Sequence, residues 1–499
     1  MANIRKILIA NRGEIAVRII RTCQDLDIKT VAVYSKEDES NPHVLLADES
    51  ILIGDAPSAE SYLVMDKIII AAKEAQVDAI HPGYGFLSEN AEFALLCEKN
   101  NIIFIGPSPQ TIDMMGDKTR ARQLMIKAGI PSPPGTVNAL TDTDEAEVIA
   151  NKIGFPILIK AAAGGGGKGM RIVRENADLK KSIKASKSEA ENAFGDGRVY
   201  IEKYLESPRH VEVQIIADYE GSILHLFDRD CSIQRRHQKV VEEAPCPFLE
   251  SKLRNKLLKA ALVVAKTCNY TNAGTIEFLV DKDYNYYFLE VNTRLQVEHP
   301  VTELVTGTDL VAMQIRIAEK KPLTIRQEDI RLNGHAIECR ISAEDPDKNF
   351  LPSTGTLNTY IAPSGPGIRV DSGVREGQKI GIYYDPLISK LIAFGENRNQ
   401  AIQRMKRALK EYHIGGIKTT IPFCQFVMSH PVFQEFKYDT HFVNDHYQTR
   451  TPQGNETEVD EEIVAAISAS LLDKMQAGEN ITEIQEAQSS LWWSRRRKS

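Results

Sequence analysis

The chain begins with a short apolar run, Ile7-Leu8-Ile9-Ala10, followed by an amphipathic stretch from Glu14 to Gln24. Apolar runs return at Thr30 to Tyr34, at Ala79-Ile80 and at Ile102 to Gly106, so strand and helix patterns alternate up to about residue 115. This alternation predicts a parallel α/β unit, because parallel strands need a crossover connection, usually helical. A new segment starts at Gly116-Asp117-Lys118 with a helix to Ala128, and Pro131, Pro133, Pro134 and Gly135 then form a rigid break suited to a hinge. Beyond it, residues 131–205 form a subdomain. Strands and helices resume over 206–325, with a hairpin at 275–290. From residue 333 to about 445 the pattern is short strands with Gly and Pro turns, ending in a helix over 398–412. After Thr451 the chain is polar, and then Ile463, Ile467, Leu471 and Met475 fall at helical spacing, predicting a terminal amphipathic helix.

The fold class is therefore α/β, and α+β in part. Four segments are expected: 1–115, 116–330 with a lid over about 131–205, 331–445, and a tail over 446–499. With 499 residues and 42% hydrophobic content, the chain has material for two or three cores. A net charge of -7 argues against nucleic acid as the main partner, since binding phosphates needs a basic field. Seven cysteines are scattered without a CxxC pair, which fits reduced thiols. The opening apolar run is too short for a signal peptide, and no stretch of about 18 apolar residues spans a bilayer. A cytoplasmic protein with no membrane association is the expectation.

Gly164-Gly165-Gly166-Gly167-Lys168-Gly169 satisfies the GxGxxG expression, but its context denies a dinucleotide fold. That fingerprint needs a helix directly after the glycines, whereas Met170-Arg171-Ile172-Val173 is β-branched and alternating. No Ser or Thr follows Lys168, so it is not a Walker loop either. A strand, glycine loop, strand unit can close over nucleotide phosphates with its backbone N–H groups, or be a flexible surface hairpin. Lys160 and Lys118 would supply cations, although each alone is an ordinary surface lysine.

Two strands, Thr275 to Val280 and Tyr286 to Glu290, flank the polar turn Asp281 to Asn285. If the turn centres between Asp283 and Tyr284, Glu277 faces Glu290. Like charges opposite each other on a sheet are destabilising, so the pair suggests a cation between them, and Mg2+ fits carboxylates shared with substrate phosphates. Two solvated glutamates are the plainer alternative. The next stretch alternates Glu290, Asn292, Arg294, Gln296 and Glu298 with Val291, Thr293, Leu295, Val297 and His299. In an extended segment all five polar groups share one side, giving a track from metal to anion to base. Alternation in Arg235-Arg236-His237-Gln238-Lys239 likewise places His237 with Lys239, although a charge run is usually a solvated face.

Together these residues resemble the biotin carboxylase family of the ATP-grasp superfamily. The resemblance rests on Ile9 to Ala16, His81 to Asn90, the Lys160 to Met170 loop, Arg229 to Arg236 and Glu290 to His299, in family order across residues 1–445. It implies an N-terminal biotin carboxylase α/β domain, an ATP-grasp domain with a mobile lid, and a C-terminal biotin carboxylase domain. It implies ATP contacts from Lys118, Lys160, Gly166, Gly167, Glu202, Lys203, Leu205, His210, His237, Glu277 and Glu290, with Glu277, Glu290 and Asn292 on Mg2+ or Mn2+. Bicarbonate would lie against Lys239, Arg294, Gln296 and the backbone of Val297. Glu298 would be the general base, with Lys239, Arg294 and Arg340 as the other catalytic residues and Arg340 facing the biotin ureido oxygen.

The implied reaction is ATP-dependent carboxylation of biotin by bicarbonate through carboxyphosphate, the first half-reaction of acetyl-CoA carboxylase, pyruvate carboxylase or another acyl-CoA or 2-oxoacid carboxylase. The chain has no Met-Lys-Met biotinylation site, and Asp473-Lys474-Met475 falls on the tail helix, so biotin is expected on a biotinylated subunit or other separate carrier protein. The other implied partners are a second copy of the chain, in a homodimer, and a carboxyltransferase subunit. The tail residues Trp492 and Trp493, followed by Arg495 to Lys498, suit either an interface anchor or a disordered end. Two readings compete with this one: another ATP-grasp ligase making an acyl phosphate, and a catalytically silent ATP-binding module.

Overall fold

The first strand, β1 (Lys6–Ile9), is buried through Ile7, Leu8 and Ile9, the mark of a strand covered on both faces. A computed structural model describes residues 3–140, 143–163 and 169–448 of the chain. After β1 come the helix Gly13–Asp25, then β2 (Lys29–Ser35), β3 (Glu49–Gly54), β4 (Ala79–His81) and β5 (Ile103–Phe104). They form a sheet in the order β3-β2-β1-β4-β5 with every pair parallel, as the alternating pattern predicts. The edge strand β3 is half exposed and carries too few buried apolar positions to stand out in the sequence.

The helix Lys118–Lys127 is capped by Asp117, whose carboxylate accepts from the backbone N–H groups of Thr119 and Arg120. Past the proline break, β6 (Ile157–Ala161) pairs antiparallel with β7 (Arg171–Val173) and with β8 (Val199–Lys203). Ile157, Ile159, Val173 and Ile201 make a small core of this subdomain with the helices Thr143–Ile153 and Leu179–Phe194. The glycine segment 164–168 lies outside the described residues, but the strands on either side of it form a hairpin. A strand, not a helix, follows the glycines, so the dinucleotide reading fails on topology.

The largest element is an eight-stranded sheet, antiparallel throughout. It comprises β9 (Arg209–Ala217), β10 (Ile223–Arg235), β11 (Gln238–Ala244), β12 (Asn272–Val280), β13 (Tyr286–Asn292) and β14 (His335–Ser342) in the order β13-β12-β9-β10-β11-β14. The strands Leu387–Gly395 and Ile368–Ser372 complete it beyond β14. On β9, Val211, Val213 and Ile215 face a core built with the helix Ser251–Thr267, which leaves His210, Glu212 and Gln214 on the opposite face. That face is buried too, and it is polar. Residues up to Asp445 form one compact unit, and the predicted tail helix lies outside the described residues.

Three local expectations need correcting. Val280 pairs with Tyr286, so the β12–β13 turn centres on Asp283 rather than between Asp283 and Tyr284. Glu277 still faces Glu290, because a bulge between the Phe278–Phe288 and Glu277–Glu290 pairs takes up one residue at Leu289. The row from Glu290 to Glu298 is not one extended strand: β13 ends at Asn292, a bend follows, and Val297 and Glu298 form a turn before the helix His299–Thr306. Arg236 and His237 both have positive φ (48° and 64°) and make the two-residue turn joining β10 to β11, so alternation does not carry His237 onto the face of Lys239.

Candidate active site

The polar face of the sheet converges on one ammonium. Lys239 Nζ lies 2.5 Å from Glu212 Oε2, 2.8 Å from Glu277 Oε1 and 2.7 Å from Glu298 Oε1, and all three acids are buried. Burial alone would strip the proton from Lys239, yet Glu212, Glu277 and Glu298 hold its pKa well above the ordinary range. Burial would likewise neutralise Glu298, but Lys239, Arg340 and Arg229 hold it well below the usual carboxylate range. Arg340 bridges two acids, with Nη2 2.9 Å from Glu298 Oε2 and Nε 2.5 Å from Glu242 Oε1. Arg229, fully buried, pairs with Glu212 and donates to Gln214 Oε1 (2.7 Å), Thr302 Oγ1 (2.9 Å) and Thr275 Oγ1 (3.1 Å), so every arm is satisfied beneath the site.

The bend after β13 brings the remaining polar groups in, although it is not a strand. Asn292 Nδ2 (2.9 Å) and Gln296 Nε2 (3.2 Å) donate to Glu277 Oε1, and Arg294 spans Gln296 Oε1 (2.8 Å) and Asn292 Oδ1 (3.1 Å). Arg294 Nε also reaches Glu89 Oε2 at 2.8 Å, and Glu89 Oε1 accepts from the N–H of Thr293 at 3.1 Å. Arg294, Gln296, Glu298, Lys239 and Arg340 are thus joined, through Glu277, in one connected polar cluster.

A second cluster lies toward the lid. Lys118 Nζ is 3.1 Å from Glu290 Oε2, and its backbone N–H donates to Ala162 O at the root of the glycine loop. Lys160 Nζ is 2.5 Å from Glu202 Oε1, with Arg122 Nη1 3.4 Å from Glu202 Oε2. His210 Nε2 lies 2.8 Å from Glu277 Oε2 and so belongs with the first cluster; burial lowers the pKa of His210, but Glu277 outweighs it and raises it. Three expected nucleotide contacts show no side-chain bond to these acids among the described residues, although partial desolvation, and then the charges of nearby Lys160, His210 and Lys118, lower the pKa of His237. Lys203 Nζ is taken up by the carbonyls of Gly154 (3.1 Å) and Phe155 (3.0 Å), Leu205 is half-buried just after β8, and His237 is exposed on its turn. Gly166 and Gly167 lie outside the described residues.

Glu277 and Glu290 pair directly across β12 and β13, and Asn292 pairs with Thr275 two residues along, on the same face, so three oxygen donors stand at one end of the hairpin. Hard oxygen ligands on two carboxylates and an amide suit Mg2+. Two other buried groups, His210–Glu212–Glu277 and Glu212–Cys231–Glu298, are compact enough for an ion, but Lys239 already bonds to carboxylates in both. Sequence reasoning misses Glu89, Glu212, Arg229 and Glu242. The alternation His210, Glu212, Gln214 on β9 carries a readable signal for Glu212; Glu89 and Arg229 sit inside quoted motifs, but only the tertiary fold shows what they touch.

A glycine-loop hairpin tied through Lys118 to a sheet that carries clustered buried acids, lysines and arginines is the arrangement of an ATP-grasp enzyme, an ATP-dependent ligase. Family models match three consecutive stretches: biotin carboxylase, N-terminal domain, over residues 3–112; the carbamoyl-phosphate synthase L chain ATP binding domain over 117–326; and the biotin carboxylase C-terminal domain over 338–445. The biotin carboxylase of Halalkalibacterium halodurans is 54% identical over 447 residues, 90% of this chain and 99% of that protein. A pyruvate carboxylase subunit of Methanothermobacter thermautotrophicus is 52% identical over 441 residues, 88% of this chain and 90% of that one. The biotin carboxylase domain dimer of Hydrogenobacter thermophilus 2-oxoglutarate carboxylase, solved with MgADP, ADP and bicarbonate, superposes with a TM-score of 0.87 at 48% identity, covering 89% of this chain and 98% of that one. The chain belongs to the biotin carboxylase family.

Proposed function

We propose that the cluster around Lys239 activates bicarbonate for ATP-dependent carboxylation of biotin, with Glu298 as the general base. The observation that carries this is the double clamp on Glu298, Lys239 Nζ on one oxygen and Arg340 Nη2 on the other. An ionised carboxylate between two cations is already deprotonated, and a bicarbonate anion drawing Lys239 to itself would loosen one of those holds and raise the proton affinity of Glu298. Glu298 then takes the bicarbonate proton as an oxygen of bicarbonate bonds to the γ-phosphorus and ADP leaves. Lys239, Arg294, Gln296 and the Val297 backbone hold the anion in line for this step. The carboxyphosphate so formed breaks down to carbon dioxide and phosphate; phosphate takes the ureido proton of biotin, Arg340 stabilises the enolate oxygen, and the new N–C bond forms. Mg2+ on Glu277, Glu290 and Asn292 would neutralise charge on the nucleotide phosphates.

For the nucleotide we assign Lys118, Lys160, Glu202, Lys203, Leu205, His210 and His237, with Gly166 and Gly167 of the lid, whose closure would exclude water. The domains of this reading are 1–115, 116–330 and 331–445. Its partners are a biotinylated carrier, a second copy of the chain and a carboxyltransferase subunit. Its place is the cytoplasm, and the reaction is the first half of an acyl-CoA or 2-oxoacid carboxylase cycle. Among the described residues no helix is long and apolar enough to cross a membrane. Glu298→Gln is expected to lower bicarbonate-dependent ATP cleavage by on the order of 100-fold or more with ATP binding retained. Unchanged turnover would remove Glu298 from the role of base.

A further inference from the structure

Lys390, on the strand Leu387–Gly395, is wholly buried, and its ammonium meets three parts of the molecule at once. Nζ donates to the carbonyl of Val297 at 3.0 Å, lies 3.1 Å from Glu14 Oε2 and 3.8 Å from Asp371 Oδ2. Val297 belongs to the turn that presents Glu298, Glu14 to the first turn of the helix Gly13–Asp25, and Asp371 to the neighbouring strand Ile368–Ser372. A buried ammonium costs several kcal/mol unless it is paired and hydrogen-bonded. Space filling alone is served as well by methionine, so the charge and its geometry need another account.

The contacts of Glu14 supply one. Its other oxygen accepts from Tyr84 Oη, and Asn11 Nδ2 bonds the carbonyls of Pro82 and Tyr84, each at 2.7 Å. The same loop carries Glu89, which holds Arg294 and the N–H of Thr293. The segment from Thr293 to Glu298 is therefore gripped at its start by Glu89 and at its end by Lys390, and both grips lead back to the Asn11-to-Glu14 stretch. We propose that Lys390 is a positioning residue: by holding the Val297 carbonyl, it fixes the peptide that joins Val297 to Glu298 and so where the Glu298 carboxylate points. The proposal rests on the reading of Val297 and Glu298 as the bicarbonate contact and the base.

The test compares Lys390→Met with Glu14→Gln combined, Glu14→Gln alone, and the wild type, using the full chain. Lys390→Met alone leaves Glu14 as a buried acid without its cation, which would lower stability and confuse the result; the double variant removes both charges. Thermal unfolding, ATP binding by calorimetry, and the bicarbonate dependence of ATP cleavage with free biotin are measured. The double variant is expected to unfold near the wild-type temperature and bind ATP normally, while kcat/KM for bicarbonate falls by about 10- to 100-fold, the scale of a misplaced catalytic group. Glu14→Gln alone keeps the Lys390 bond to Val297 and is expected to keep the bicarbonate KM. A double variant with wild-type kcat/KM for bicarbonate overturns the positioning role. Beside an inactive Glu298→Gln, that result overturns the positioning role alone, whereas an active Glu298→Gln overturns the reading beneath it.

Discussion

Six buried glutamates share the large sheet or the turn above it, and their surroundings divide them by charge state. Glu277 and Glu298 are held ionised by Lys239 and its neighbouring cations against the effect of burial. Glu242 is pushed up to about 7 by burial despite Arg340, and Glu338, directly opposite it across β11 and β14, is pushed well above the carboxylate range by burial, with neither oxygen bonded among the described residues. Groups whose pKa values are driven apart in this way can hold and accept protons within one site. Glu243, next to Glu242 in sequence, points away and does a different job. Burial works against its charge, yet Arg398 (2.7 Å) and His335 (2.6 Å) hold it at about 2 against an unperturbed 4.5. A carboxylate depressed on folding stabilises the fold fully above its unfolded pKa and loses that stabilisation as pH falls through the folded value. The wild type should therefore lose about 3 kcal/mol of stability through this group between pH 4.5 and 2. Glu243→Gln should lack that acid limb, and urea denaturation of both proteins across the range checks it.

Strand β12 shows how an element carries the site. Gly274 has no side chain, and Tyr270 lies across it: a Cβ there would come within 2.0 Å of the phenol oxygen. The Tyr270 hydroxyl donates to Ala273 O at 3.1 Å and approaches Asn292 O at 3.4 Å, so the ring ties β12 to the end of β13 where the acid pair stands. Glycine in a strand interior is suited to such close approach. Gly274→Ala is expected to cost about 1 to 3 kcal/mol by overpacking, read as a lower urea midpoint at unchanged slope. The pattern in the sequence holds for β1, whose short apolar run is buried on both faces, and for the β6–β7 hairpin around the glycines. It fails where single residues break the period. The bulge at Leu289 and the offset turn cancel, so the Glu277–Glu290 pairing comes out right on a wrong premise. The Arg236–His237 turn and the bend at Arg294 depend on backbone conformations that side-chain pattern does not encode. Arg294, Gln296 and Glu298 converge nonetheless, because Glu89, Glu277 and Lys239 draw them in from other strands and loops.

At the scale of the whole molecule, every residue assigned to the reaction or to its positioning lies at or before Lys390, and the family match ends at residue 445. The Halalkalibacterium halodurans protein is matched over 99% of its length by 447 residues of this chain, so a relative of that size carries the family architecture without a counterpart to most of the tail. The helix Arg398–Glu411, packed beside the strand Leu387–Gly395, and Tyr438, bonded to Glu243, extend the sheet's support almost to that boundary. A chain ended after Gln448 is therefore expected to fold and to keep the bicarbonate-dependent ATP cleavage of the full chain with free biotin. Measuring the same truncated chain with a biotinylated carrier separates two roles for the remaining residues. Activity kept with free biotin but lost with the carrier assigns the tail to carrier docking, whereas activity lost with both places it in the bicarbonate or nucleotide site, and the assignment of the reaction to residues before Lys390 would then be incomplete.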